Sequence, residues 1–166
     1  MRLEAMAVKI PHVDGHPNRV NFEGILTVVN KASDKSPAGA RGHRVMLTEE
    51  AAEKALPSLL GMAVDYTPSW DGHDARRKIG LLTEAYLAGD SIVVRGYLYG
   101  RDFPEVAESI RAKEPGAMGM SYEIADVRVE DMRADVWKLT RVIFTGAAIL
   151  LREKAAYRAT SFRMAS

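Results

Sequence analysis

Strand-sized blocks of apolar residues, separated by turn-formers, dominate the hydropathy pattern of this chain. "FEGILTVV" at 22–29 is β-branched and apolar, and "NKASDKSPAGARG" at 30–42 carries the Gly, Pro, Ser and Asp of a loop. "HRVMLT" at 43–48 reads as a short strand running into Thr48, a good N-cap. "EEAAEKALPSLL" at 49–60 follows with acids in its first turn and apolar residues at helical spacing, which predicts a helix ending near Pro57.

"MAVDY" at 62–66 is a short strand candidate and "TPSWDGHDARRK" at 67–78 a loop. "IGLLTEAYLAGDSIVVRGYLYG" at 79–100 reads as two strands joined by a turn at Ala88-Gly89-Asp90. Asp102 is placed to cap a second helix with Pro104 in its first turn and Val106, Ala107 and Ile110 on one face, stopped by "EPG" at 114–116. "AMGMSYEIADVRVE" at 117–130 and "VWKLTRVIFTGAAILL" at 136–151 are long strands around the turn "DMRAD", and "REKAAYR" at 152–158 predicts a last helical turn. About six or seven strands, mostly sequential and hairpin-linked, stand against two helices, so the fold expected is α+β: a mainly antiparallel β-barrel or curved sheet with packed helices.

Length and charge narrow the functional classes. The 166 residues, 47% hydrophobic, suffice for one domain with its own core, expected over 1–166 with 1–20 and 159–166 peripheral. A net charge of +1 from 23 basic and 22 acidic residues gives no electrostatic reason for nucleic acid or an anionic membrane as partner. Zero cysteines remove disulfides, thiol nucleophiles and thiolate metal sites. Neither a secretory signal nor a stretch near the ~20 apolar residues of a membrane span is visible, so a soluble cytoplasmic protein is expected.

Two residues carry candidate chemistry. His73, in "WDGHDARRKIG", sits at a loop-to-strand junction between Asp71 and Asp74, where an imidazole held by a partner can act as a general base. Ser121, in "GAMGMSYEI", has Gly116 and Gly119 nearby to free its backbone, although the G-x-S-x-G elbow is absent. Taken singly, each has a plain alternative: a solvated loop histidine and a serine filling a small space in a strand. His12, His16 and His43 read as solvated loop positions. Asp65, Asp71, His73 and Asp74 offer oxygen and nitrogen ligands within ten residues. Their spacing matches neither a zincin helix nor an EF-hand loop.

Taken together, the two stretches resemble the prohead maturation proteases of tailed bacteriophages, serine peptidases with a herpesvirus-assemblin-like fold. "HDARRKIG" sets His73 six residues before Ile79-Gly80, and "FPEVAESIRAKEPGAMGMSYEI" gives helix, glycine turn and Ser121 in the family's order. "LTRVIFTGAAIL" is similar to the family's later strand ending in small residues. The resemblance implies Ser121 as nucleophile, His73 as base, no cofactor, and oxyanion donors around Gly146 and Ala147.

It also implies phage scaffold protein, major capsid protein and the protease itself as substrates, inside the prohead in the bacterial host cytoplasm. Dimerisation through a helix and trimming from a longer precursor belong to the same expectation. The family's third catalytic group, a histidine or carboxylate commonly on the strand after the serine strand, has no match in "VWKLTRVIFT" beyond Thr140. Asp135, Asp126 and Glu123 are the nearby acids. The alternative reading is a non-catalytic capsid-assembly or scaffold-like component of the same fold.

Overall fold

The computed structural model describes residues 16–165; His12 lies outside them. Eight strands form one sheet: β1 (Arg19–Val28), β2 (Arg44–Leu47), β3 (Ala63–Asp65), β4 (Lys78–Ala88), β5 (Ser91–Tyr99), β6 (Met118–Val129), β7 (Val136–Leu151) and β8 (Ser161–Met164). Two helices, α1 (Glu49–Ala55) and α2 (Pro104–Arg111), and two 3-10 turns at Leu56–Leu59 and Arg152–Lys154 complete it. The α+β reading of the sequence holds, with a curled half-barrel for a sheet.

The strands follow the order β2-β7-β3-β4-β5-β1-β8, and β6 pairs with β7. Pairing is antiparallel except where β2 and β3 run parallel to β7. Sixteen-residue β7 reaches across the molecule, meeting β2 with its first half and β3 with its second while β6 follows it along much of its length. Register shifts between Ile25 and Thr27 in β1 and between Leu82 and Glu84 in β4 add the twist that curls the sheet. Curling brings β6 against β1 and β8: a Cβ on Gly119 would lie 2.5 Å from Thr160 Oγ1 and 3.0 Å from Arg152 Cα, so only glycine fits there.

Inside the half-barrel, Leu26, Leu82, Ile92, Val94, Met120, Phe144 and Ile149 are almost fully buried. Each such side chain contributes roughly 1.5–3 kcal/mol through loss of apolar surface to water. Thr48 caps α1 as its sequence predicts, its Oγ1 accepting from Ala51 N at 3.2 Å, a contact of about 1 kcal/mol. Asp102 does not cap α2: Phe103 holds the cap position, and the Asp102 carboxylate accepts from Asn18 Nδ2 instead.

Two expectations at the C-terminus need correction. Residues 161–164, expected to be peripheral, form β8 on β1 and bury Phe162 against Phe22. The expected helical turn at 152–158 shrinks to a 3-10 turn over Arg152–Lys154. Tyr157 then turns inward, its hydroxyl donating to the carbonyls of Lys31 and Val45.

Candidate active site

Sheet register alone lines up three side chains. Ser121 in β6 is paired with Ala148 in β7, and Ala148 is paired on its other side with Asp65 in β3. Laterally paired residues point to the same face of a sheet, with strands about 4.8 Å apart. Ser121 and Asp65 therefore face the same way, one strand removed from each other, with only the methyl of Ala148 between them.

The imidazole of His73 occupies that gap. Its Nε2 is 3.1 Å from Ser121 Oγ, a hydrogen bond, and its Nδ1 is 3.5 Å from Asp65 Oδ1. With the Nδ1 proton aimed at Asp65, Nε2 is left as the acceptor for the serine hydroxyl. Nδ1 is buried, and neither Asp65 nor Glu123 Oε1, 3.9 Å away, reaches it at hydrogen-bond distance. Contacts of this kind are often long before substrate binds and shorten in the reacting complex.

The loop that delivers His73 is pinned at Trp70. This residue adopts a left-handed backbone, φ 55°, at a cost of ~1–2 kcal/mol for a non-glycine. Several contacts offset that cost: the buried indole donates Nε1–H to Ser109 Oγ of α2 at 3.2 Å and stacks obliquely on Tyr66, and the carbonyl accepts from Leu151 N at 2.8 Å. Three residues later the chain presents the imidazole over β7, and β4 begins at Lys78.

Asp65 is 1% exposed, and its carboxylate is held on several sides. Oδ1 accepts from Asp74 N and Oδ2 from Lys78 Nζ, each at 3.2 Å. Burial alone raises the carboxyl pKa, but His73, the Lys78 ammonium and the Asp74 N–H together outweigh it and hold Asp65 below the usual carboxylate range. A buried acid at the end of a short apolar strand, "MAVDY", is the sequence signal for this residue. In the sequence it counted only toward a metal set.

Of that set, Asp65 alone faces His73. Asp71 is exposed and accepts from Thr67 Oγ1 at 2.7 Å, while Asp74 turns to Arg77 Nε and Arg76 N. The described residues contain no cluster of three or more such groups able to hold a metal ion.

The other acids near the serine strand differ in reach. Glu123, two residues after Ser121 on the same face of β6, lies over Gly146, where a Cβ would meet its Oε2 at 2.8 Å. Thr140 donates to Arg128 O and lies eight residues along β7 from Ala148, about 26 Å at 3.3 Å per residue. Asp135 precedes β7 altogether, and Asp126 sits in a β6 irregularity at φ 50°.

Gly146 and Ala147, read as an oxyanion turn, lie instead within β7. Ala147 is paired with Tyr122 on one side and Val64 on the other, and in such a strand the ladders take up the backbone N–H groups.

The sequence matches no protein-family model, and no curated protein matches it. Solved structures do match. The capsid assembly protease gp21 of bacteriophage T4 superimposes with a TM-score of 0.56 at 15% identity, over 84% of this chain and 87% of that one. The protease of KSHV, solved with a hexapeptide phosphonate inhibitor, superimposes with a TM-score of 0.55 at 12% identity, over 89% of this chain and 65% of that one. The superpositions thus show that this chain shares the fold of these two viral proteases.

Proposed function

We propose that this protein is a serine endopeptidase of capsid maturation, with Ser121 as nucleophile, His73 as general base and Asp65 as the group that orients the imidazole. The observation that carries the reading is the 3.1 Å contact between His73 Nε2 and Ser121 Oγ, on the fold of two viral proteases. The lack of an orienting group was the main reason to favour a non-catalytic relative. Asp65, behind Nδ1, supplies a candidate.

In the reaction, Ser121 Oγ forms a bond to the carbonyl carbon of the scissile peptide as its proton passes to His73 Nε2. The tetrahedral adduct collapses, the C–N bond breaks, and the leaving amine takes the proton from Nε2. Water then adds to the acyl-enzyme carbonyl, giving its proton to Nε2, and the ester C–O bond breaks to release the acid and return the proton to Ser121. The buried Asp65 carboxylate stabilises the imidazolium at both stages. β6 hydrogen-bonds to β7 alone among the described strands, so its second edge beside Ser121 is available to an extended peptide.

The substrates proposed are capsid and scaffold proteins inside the assembling particle and the protease itself, with dimerisation part of the same reading. The test is co-expression of the chain with the capsid and scaffold proteins of its own genome, followed by intact mass of all three. Defined cleavages lost in both Ser121→Ala and His73→Ala support the reading. Masses that are the same in wild type and both variants contradict it.

A further inference from the structure

Between β6 and the segments at 37–40 and 156–160, the half-barrel holds a cavity of 430 Å³, within the ~300–1,000 Å³ typical of ligand pockets. Its floor is apolar, built by Leu26, Val45, Val129, Trp137 and Leu139. Ser121 and Glu123 belong to its wall, so the cavity begins at the nucleophile's own strand. Glu123 is the one charged residue among those that line it. At its rim, Val127 and Met132 are 43% and 51% exposed, which continues the apolar surface outward.

These features specify an occupant. A peptide paired to the unpaired edge of β6 presents alternate side chains to the two faces of the sheet. One face carries Ser121, His73 and Asp65; the other is the interior face, to which Met120 and Tyr122 belong, and there the cavity lies. Every second substrate side chain on that stretch is thus directed toward the cavity. Apolar walls favour a bulky hydrophobic group. No basic residue lines the cavity, so an acidic side chain buried there would have no cationic partner.

We propose that this cavity is the specificity site of the protein and takes a bulky, uncharged, apolar side chain of an extended peptide laid along β6. The proposal rests on the catalytic reading of Ser121 for its place in a reaction, but the cavity's preference can be tested without catalysis.

The first arm is cleavage of a degenerate peptide library by the wild-type chain, with products read by mass spectrometry. One position near the scissile bond is expected to be dominated by Leu, Met, Phe or Trp, with Asp and Glu depleted at least about 10-fold there, the scale on which small changes in a hydrophobic pocket discriminate. Val129→Phe, which fills the floor, is expected to shift that position toward smaller residues. Ala38→Phe, at an exposed lining position, does the same from the mouth and keeps the test valid if Val129→Phe does not fold. A preference for charged or small residues at every position, or an apolar preference unchanged in both folded variants, overturns the proposal.

The second arm is methyl NMR of methionine-labelled Ser121→Ala titrated with N-acetyl-leucinamide and, separately, N-acetyl-aspartamide. Met120 and Met132 both line the cavity, and their signals are expected to move with the leucine amide only. If no peptide is cleaved, the catalytic reading fails and this arm decides on the cavity by itself. Selective movement then upholds the apolar site, and no movement or equal movement with both amides overturns it.

Discussion

Asp65 Oδ1 stands 3.5 Å from Nδ1 of His73, on the side of the imidazole opposite Ser121. Only the pairing of β3 and β6 to the same residue of β7, Ala148, makes this possible, since it sets acid and serine on one face with space for a ring between them. Asp65→Asn keeps the shape and removes the charge. We expect kcat to fall about 100- to 10,000-fold with little change in KM, as for an asparagine in place of a triad aspartate. Ser121→Ala is expected to fall further. Steady-state kinetics on one cleavable peptide checks both.

Glu123 makes a different prediction through Gly146. At 54% exposure and 3.9 Å from His73 Nδ1, its carboxylate interacts through solvent and has at most a few-fold effect. A methyl on residue 146 meets first the flexible end of the Glu123 side chain, so Gly146→Ala is expected to displace the carboxylate without unfolding the sheet. Glu123→Gln and Gly146→Ala should therefore lower kcat/KM alike, by less than about 5-fold, and the double variant should be no worse than either. Additive losses would assign Gly146 a separate role.

Stability should depend on pH through Asp65. Its folded pKa is lowered, so the unfolded chain binds the proton more tightly and the stabilisation is fully present above the unfolded carboxylate value of about 3.9. It is lost as pH falls through the lowered folded value. Urea unfolding of wild type and Asp65→Asn should differ most near neutrality, with the gap narrowing below about pH 4. A gap independent of pH would mean that the asparagine acts through packing alone.

Gly119 is predicted to be a sensitive glycine beside Ser121. Its missing side chain lets the start of β6 pass within contact of the buried Thr160 hydroxyl and of the Arg152 backbone, which cannot move independently. Gly119→Ala is expected to destabilise by about 1–3 kcal/mol, the usual cost of overpacking. Thermal or urea denaturation reads this directly, and Gly116→Ala, where a Cβ meets no atom within 4 Å but φ is 78°, should cost about 1 kcal/mol from backbone strain.

His73 and Ser121 were legible in the sequence because each stands in a local pattern: a histidine before a strand-opening Ile-Gly, and a serine after a helix and a glycine turn. Their contact joins residues 48 apart and was reachable only through the resemblance to a known arrangement. Asp65 was passed over because its position depends on parallel pairing of a three-residue strand with β7, which no local periodicity encodes. Thr140, Asp135 and Asp126 were proposed from nearness in sequence to the serine hairpin, yet a 16-residue strand carries its ends far apart. The missed β8 is four residues without flanking turn signals of its own, fixed by Phe162 reaching Phe22. The turn expected around Gly146 and Ala147 was misread for a related reason, since "TGAAIL" looks like a turn until its pairing within β7 is known.

The proposed mechanism turns on Ser121 as a nucleophile activated by His73. It is tested most directly by incubating wild type, Ser121→Ala and His73→Ala with a peptidyl diphenyl phosphonate and mapping the adduct by intact mass and peptide sequencing. One adduct per wild-type chain is expected on Ser121, none in Ser121→Ala, and labelling slowed at least about 100-fold in His73→Ala. An adduct on another residue, or equal labelling of wild type and His73→Ala, would contradict it.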